Sequence, residues 1–506
     1  MPGSNVRICR ASMRRDWRVV RPLAFACASV ALLIGGGPCF GAGGGAAAPV
    51  AGDDAALDGL VDSAMDIVRR HDDTASDADD GGGASYSGRC YAEAALTLYN
   101  YRQALAVPMP PGTATPSWRA HMDVDWQGRF KGFGPWSLTV SDRFSLQHGE
   151  SDDWTASSLS RNDLRELYAT YSRGTSLVDV GRINVRGGVA AGYNPTDYFR
   201  PRSVVERVSQ DPTVLRENRL GVVAARVQQV YARGAWSATL APRLAPTPAV
   251  DLQGQTGLKP QFGRTNNSAR LKLDANYAIA PNFAPEASML IERDRDLFGL
   301  NLTRALGDRV TGVLEWSGGW QRNLLARAYA AGVAEGRFPA NFRPLLPYDD
   351  SLKFRQDLAV GISMPITGNL DVSVEYDFHQ GAMSSGDWDR WFAAGAAAQR
   401  SGKVAQLGQL QYLRQFSLDE QEPMSRQNLF WRAEWRNSLA PNVTLVYLGI
   451  LNLSDRSSLQ QLTARWDYSK QWSFSAILNR YVGGATTEYG SYQTNMSVLA
   501  SAIFYF

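Results

Sequence analysis

The chain has 506 residues, of which 20% are charged, and its formal net charge at pH 7 is +3. A mean hydropathy of −0.27 excludes a bundle of membrane helices, and the small net charge gives no reason to expect a nucleic-acid partner. The length fits either several soluble domains or one large barrel, and fourteen Trp and twenty Tyr residues are suited to the aromatic girdles of a membrane barrel.

The first residues predict a secretory signal peptide over residues 1–45. Four arginines, the last being Arg21, precede an apolar run from Leu23 to Ile34, which is too short to cross a bilayer but has the length of a signal core. The extension before Met13 is long for a signal, so translation could begin at Met13 instead of Met1. Residues 46–90 are then an acidic, flexible periplasmic segment. Only Cys90 remains after cleavage, which leaves no internal disulfide.

Residues 91–506 alternate apolar and polar side chains with a period of two, which predicts β-strands. In the run from Leu370 to His379, for example, apolar residues alternate with Asp371, Ser373, Glu375 and Asp377. Such runs are about ten residues long, the length that a tilted strand needs to cross a bilayer. Their polar faces carry full charges, which are costly in a dry core. A wide, water-lined barrel accommodates them.

Short and long connections alternate along these runs. The links at Lys131–Pro135 and Lys470–Gln471 are tight, whereas Gly187–Asn218 and Gly381–Ser425 are long. We therefore predict an all-β fold: a single antiparallel up-and-down transmembrane β-barrel with long extracellular loops and short periplasmic turns. We count about eighteen strands, with sixteen as the alternative. The first is Tyr91–Ala106, although its composition suits a helix nearly as well.

The final residues, Tyr492 to Phe506, alternate in the same way and have no following turn. On these residues alone the alternatives are the edge strand of a sandwich and the closing strand of a barrel. The run resembles the terminal strand of Gram-negative outer-membrane barrels, which ends on an aromatic residue. The resemblance implies that Phe504 and Phe506 form a signal read by the barrel assembly machinery. We expect this strand to pair antiparallel with Tyr91–Ala106.

Residues 91–506 as a whole resemble a Gram-negative outer-membrane porin-type barrel, and alginate-export channels, with eighteen strands and an arginine-rich lumen, are the nearest analogue. The resemblance implies an integral outer-membrane protein in contact with lipid, and it leaves a homo-oligomer open. No sequence motif secures the alginate-export family.

The long link after Asp179 is rich in arginine. A link of this length lies outside the barrel or folds inward to narrow the lumen. On an inward loop, arginines would select carboxylate or phosphate groups through their planar forks. The alternative is that Glu206, Asp211 and Glu217 pair with them and hold the loop. The candidate residues are Arg182, Arg186, Arg200, Arg202, Arg207, Arg216 and Arg219.

The other groups of residues in the sequence give weaker indications of function. A second long link contains Trp388, Trp391 and Phe392, for which packing is favoured over a plug or a sugar-stacking platform. There is no nucleotide-binding or hydrolase motif, so we assign no catalytic residue, metal or cofactor, and a hydrolase using His121 or His148 is the least favoured hypothesis. The sequence favours a passive channel for small polar or anionic solutes or for an anionic polysaccharide. The main alternative is a non-conducting scaffold or adhesin barrel.

Overall fold

The computed structural model describes residues 85–506 apart from 114, 151–157, 206, 246–259 and 308. The predicted signal peptide and most of the predicted acidic segment lie outside this range. The described strands form one antiparallel sheet in which each strand pairs with its neighbours in the chain and the first pairs with the last. This is a closed, eighteen-stranded antiparallel barrel, as the sequence predicts.

The strands range in length from 7 to 17 residues. The strands are β1 (Ser85–Tyr101), β2 (Trp118–Phe133), β3 (Trp136–Gly149), β4 (Ser158–Arg173), β5 (Ser176–Ile183), β6 (Val222–Tyr231), β7 (Gly234–Ala241), β8 (Arg270–Tyr277), β9 (Glu286–Glu292), β10 (Arg295–Ala305), β11 (Thr311–Gln321), β12 (Lys353–Thr367), β13 (Leu370–His379), β14 (Gln427–Trp435), β15 (Val443–Asn452), β16 (Ser458–Asp467), β17 (Trp472–Val482) and β18 (Thr494–Tyr505). The helices are α1 (Pro212–Glu217), α2 (Phe262–Thr265), α3 (Leu324–Ala334), α4 (Ser385–Arg400) and α5 (Val404–Glu420), and Tyr489–Ser491 forms a short 3-10 turn.

The pairing of β1 with β18 closes the barrel. Tyr91 lies opposite Tyr505 and Leu98 lies opposite Val498, so the predicted antiparallel closure is confirmed. The bounds of the first strand differ from the prediction, because β1 begins at Ser85 and ends at Tyr101. Ser85–Cys90 extend beyond β18 and pair with the long strand β2, a partner that the sequence of this segment does not reveal.

The two faces of the sheet differ in the way a membrane barrel requires. Large apolar side chains such as Leu240 and Leu273 are exposed on the outer wall, whereas charged residues such as Asp123 and Arg226 are buried on the inner side. The apolar outer wall is suited to contact with lipid. The charged inner wall is suited to contact with water and with polar loops. No helix in the described part of the chain is long and apolar enough to cross a membrane.

The short turns gather at one end of the barrel and most long connections at the other. The β2–β3 turn, for example, uses Gly134 with a positive φ of 65°. Ser85 lies opposite Lys131 beside this turn, and Tyr505 lies opposite Tyr91. The beginning of β1 and the end of β18 are therefore both at the short-turn end, as predicted.

The links β11–β12 and β13–β14 fold into α3, α4 and α5, which we call the helical cap. Trp391 and Leu410 are fully buried in its apolar core. Ser384 and Asp387 form a capping box at the start of α4, which satisfies backbone N–H groups at this helix end. Trp388, Trp391 and Phe392 all belong to this core, which confirms the packing interpretation.

Candidate functional site

The β5–β6 link, residues 184–221, folds into the barrel, and we call it the inward loop. Val189 is hydrogen bonded to β11, Gly192 to β13 and Gln210 to β16. These strands lie across the barrel from β5 and β6 in the strand order. The loop therefore crosses the lumen, which is one of the two locations predicted for it.

Two buried carboxylates on the far wall hold the inward loop by its backbone, and we call Glu315 and Glu375 the carboxylate latch. Each accepts hydrogen bonds from three backbone N–H groups at 2.7–3.0 Å. The six donors belong to Val189, Ala190, Ala191, Gly192, Tyr193 and Thr196. These six hydrogen bonds anchor the backbone of the loop to β11 and β13, so the latch fixes the loop across the lumen.

Gly188 makes the approach to the latch possible. Its φ is +85°, and a Cβ atom at this position would lie 2.6 Å from a carboxylate oxygen of Glu315 and 2.5 Å from Oδ1 of Asn194. A side chain here would separate the loop from the carboxylate. The close approach to Glu315 and the positive φ both require a glycine at position 188.

Within the inward loop, arginines bind mainly to the loop itself. Arg216 Nη2 donates to the backbone oxygen of Gly187 at 2.5 Å and to Oδ1 of Asn194 at 3.0 Å. Arg219 forms an ion pair with Asp197 at 2.5 Å. Burial lowers the pKa of Arg219, and Asp197 opposes that effect. These guanidinium groups stabilise the folded shape of the loop.

Two further candidates complete this group. Arg200 Nη2 donates to the Tyr193 hydroxyl at 2.8 Å and lies over the same ring. Arg182, on β5, donates to the backbone oxygens of Gly221 and Pro260 at 3.0 and 2.9 Å. Both side chains therefore brace backbone and ring groups around the loop.

Two more of the candidate arginines, Arg202 and Arg207, connect the loop to the helical cap. Arg202 pairs with Glu335 at 2.6 Å and with Glu420 at 3.0 Å. Burial alone would lower the pKa of Arg202, but the two glutamates hold it above its ordinary value. Arg207 donates to the backbone oxygen of Leu418. The loop and the cap are thus connected by buried charge.

The acidic partners expected from the sequence are mostly not the observed ones. Asp211 accepts from the backbone N–H of Thr213 at the start of α1 and pairs with Arg432 of β14 at 3.1 Å. Glu217 lines a cavity described below, and position 206 is outside the described residues. The loop is held mainly by glutamates of the wall and cap, and of its own acids Asp197 pairs within the loop and Asp211 pairs with the wall.

A cavity of about 530 Å³ lies between the inward loop and the wall formed by β1–β6. It extends toward the short-turn ends of β1 and β2, where Gly88 and Gly128 line it. Basic side chains outnumber acidic ones in its lining, which favours anions. The charged lining residues are Arg89, Arg129, Arg165, Arg186, Arg219, Glu166, Asp179 and Glu217.

A second cavity, of about 230 Å³, lies between the loop, the wall from β13 to β17 and the end of the helical cap. Its lining combines guanidinium groups with aromatic rings, and three carboxylates face the same space. The lining includes Arg200, Arg207, Arg216, Arg219, Tyr193, Tyr481, Tyr489, Tyr492, Asp377, Glu422 and Glu488. Arg219 lines both cavities.

Glu488, in the β17–β18 link, makes folding stability depend on pH. Burial, reinforced by the negative charge of Asp455, raises its pKa from 4.5 to about 7. The folded state then binds the proton more tightly than the unfolded state, so this contribution to stability is complete below about pH 4.5 and is lost as the pH rises to about 7. We expect a loss on the order of 3 kcal/mol across this window.

Substituting Glu488→Gln should therefore flatten the dependence of the urea midpoint on pH between 4.5 and 7.5 in detergent. The amide keeps an acceptor for Ser425 and Asn452, the two groups that bond the carboxylate. Glu150→Gln, an exposed position that is bonded to Ser117, is the control and should leave the curve unchanged. A wild-type curve with no slope in this range would contradict the assignment.

The histidines within residues 85–506 occupy packed or ion-paired positions. His148 packs edge-on against Trp118, with ring centroids 5.6 Å apart, and His121 lies 3.5 Å from Asp123. His379 binds Asp357 through Nδ1 and faces Glu422 at 3.5 Å. The hydrolase hypothesis gains no support from these arrangements.

Comparisons with known proteins give only distant structural likenesses. No family model matches the chain, and no curated protein does. OccK8 (OprE) of Pseudomonas aeruginosa aligns at a TM-score of 0.47 and 8% identity over 83% of this chain and 98% of that one. OccD3 (OpdP) of the same organism gives 0.45 and 10% over 84% and 93%, and OccAB1 of Acinetobacter baumannii gives 0.45 and 10% over 83% and 96%. At this identity and TM-score, the likeness does not indicate which solutes this chain passes or which of its residues bind them.

Proposed function

We propose that the chain is an outer-membrane channel through which small anionic solutes diffuse passively, with the inward loop as its selective constriction. The observation that carries the proposal is that Arg219 lines both cavities, one on each side of the loop. Because Arg219 is paired with Asp197, the net positive charge comes from the linings as a whole, in which basic side chains outnumber acidic ones in both cavities. An excess of fixed positive charge lowers the barrier for an anion and raises it for a cation.

The sizes of the two spaces favour small solutes. Pockets that bind small molecules typically have volumes of about 300–1,000 Å³, a range that includes the larger cavity at about 530 Å³. A polysaccharide in transit would have to displace the inward loop, which the carboxylate latch and the cap contacts hold. We therefore favour a small carboxylate or phosphate over the polymer.

Neutralising two cavity arginines tests the proposed selectivity. The double substitution Arg129→Gln and Arg186→Gln removes two positive charges from the lining of the larger cavity while leaving the latch and the Arg219–Asp197 pair intact. We expect the chloride-to-potassium permeability ratio to fall a few-fold, because the potential in a narrow lumen depends on its fixed charges. The measurement is the reversal potential across a planar bilayer in a salt gradient.

Arg390→Gln is the matched control. It also removes a guanidinium, but this residue lies on the cap surface and is paired with Asp387, so the ratio should stay at the wild-type value. A silent bilayer after many insertions of folded wild-type protein would favour the scaffold hypothesis. Equal ratios for all three proteins would overturn the role of the cavity arginines.

A further inference from the structure

The register of β1 and β2 brings three metal-binding side chains together on the inner wall. Glu93 lies directly opposite Asp123, and His121 is two residues before Asp123 on the same face of β2. One donor atom from each residue lies within 4.8 Å of the other two. His121 is 7% exposed and Asp123 is completely buried, so water screens this cluster poorly.

Asp123 is incompletely satisfied. Its Oδ2 atom accepts from Arg143 at 2.5 Å. Its buried Oδ1 atom has no hydrogen bond of normal geometry among the described residues, and the neutral group beside the carboxylate is the Ser145 hydroxyl on the neighbouring strand. His121 Nε2 is 3.5 Å from Oδ2, at the limit of a hydrogen bond. An oxygen that receives no charged donor keeps lone pairs with which it could bind a cation.

We propose that Glu93, His121 and Asp123 bind a divalent cation of the zinc type on the inner wall of the barrel. One imidazole nitrogen and two carboxylate oxygens are ligands that Zn²⁺ accepts, at about 2.0–2.2 Å, with a fourth position left for water or solute. Ca²⁺ and Mg²⁺ prefer sets made of oxygen alone. Tetrahedral ligands are about 3.3–3.5 Å apart at these bond lengths, which is closer than the 4.8 Å limit within which the three donor atoms lie, so the side chains would draw together on binding the ion.

Arg143 does not prevent this arrangement, because it occupies Oδ2 and leaves Oδ1 for the metal. In that role it resembles the groups that orient the ligating carboxylates of many metal sites. None of the three ligands lines the two arginine cavities, so the site is separate from the proposed anion path. The ion would join β1 to β2 next to the β1–β18 closure.

Cobalt provides a direct test with the tag-free, full-length protein folded in detergent. We expect Co²⁺ to give a saturable visible absorption at one equivalent, and Zn²⁺ to abolish it by displacement. His121→Ala should remove the band, whereas His148→Ala, which changes another histidine of the β2–β3 region, should keep it. Asp123→Asn serves as a second variant, and heat-modifiable migration on a gel shows that each variant is folded.

The outcomes are distinct. Loss of the band in folded His121→Ala or folded Asp123→Asn, together with retention in His148→Ala, supports the site. A wild-type protein without a saturable band, or a folded His121→Ala protein that binds Co²⁺ as wild type does, overturns it. Anion selectivity is measured separately, so failure of one proposal leaves the other intact.

Discussion

A channel in which both latch carboxylates are replaced, Glu315→Ala with Glu375→Ala, should conduct several-fold more current than wild type and with larger fluctuations. The double substitution leaves six backbone N–H groups of the inward loop without their acceptors. Hydrogen bonds to charged groups contribute about 1.5–3 kcal/mol each, so even a partial loss is large enough to detach the loop from the far wall. Single-channel recording measures the change.

Asp371→Ala is the control for that experiment. It removes a carboxylate from β13, the strand that carries Glu375, but its partner is Arg436 near a short turn, so conductance should stay at the wild-type value. Limited trypsin digestion should cut the latch variant within residues 184–221 and spare the control. Wild-type conductance in a folded latch variant would show that other contacts suffice to hold the loop.

Deleting Tyr505 and Phe506 should reduce the amount of folded barrel in the outer membrane by an order of magnitude while leaving synthesis unchanged. The Tyr505 N–H donates to the backbone oxygen of Gln471, and the Phe506 N–H donates to that of Cys90. The deletion therefore removes contacts with both neighbours of the last strand, as well as the ring contact between Tyr91 and Tyr505. Heat-modifiable migration of membrane fractions reports the folded amount.

Phe133→Ser is the matched control for the deletion. Phe133 is an aromatic residue at the short-turn end and is 62% exposed. It lies on β2, eight residues beyond Asp125, the partner of Tyr91, and makes no pairing with β18. Folded yield should remain close to wild type. If the truncated protein reached the membrane as efficiently as Phe133→Ser, the proposed assembly role of the terminus would be wrong.

The barrel could be predicted because its determinants are local. The alternation between Leu370 and His379 predicts β13 with its observed bounds, since side chains of a strand point to two faces whatever the strand pairs with. The first strand was harder to place, because Ser85–Cys90 are in a strand only through their pairing with β2. That pairing depends on where β2 lies in the folded barrel, which these six residues do not themselves indicate.

The site could be predicted only in part. The arginines of residues 184–221 stand out in the sequence, but their partners are largely backbone oxygens, as for Arg207 and Arg216, and every residue carries one. Glu375 falls on the predicted polar face of its strand, yet nothing local connects it to Gly192, which it meets across the lumen. That contact exists only after the barrel closes.

The latch also has a consequence for how this protein tolerates change. Because Glu315 and Glu375 accept from main-chain N–H groups, the attachment of the loop needs no particular side chain as a donor. Gln210 and Leu215 line the smaller cavity and take no part in the latch, so substitutions there would alter which solutes pass without loosening the anchor. A library that randomises Gln210 and Leu215 while keeping Gly188 and both glutamates should therefore yield mostly folded channels with diverse preferences.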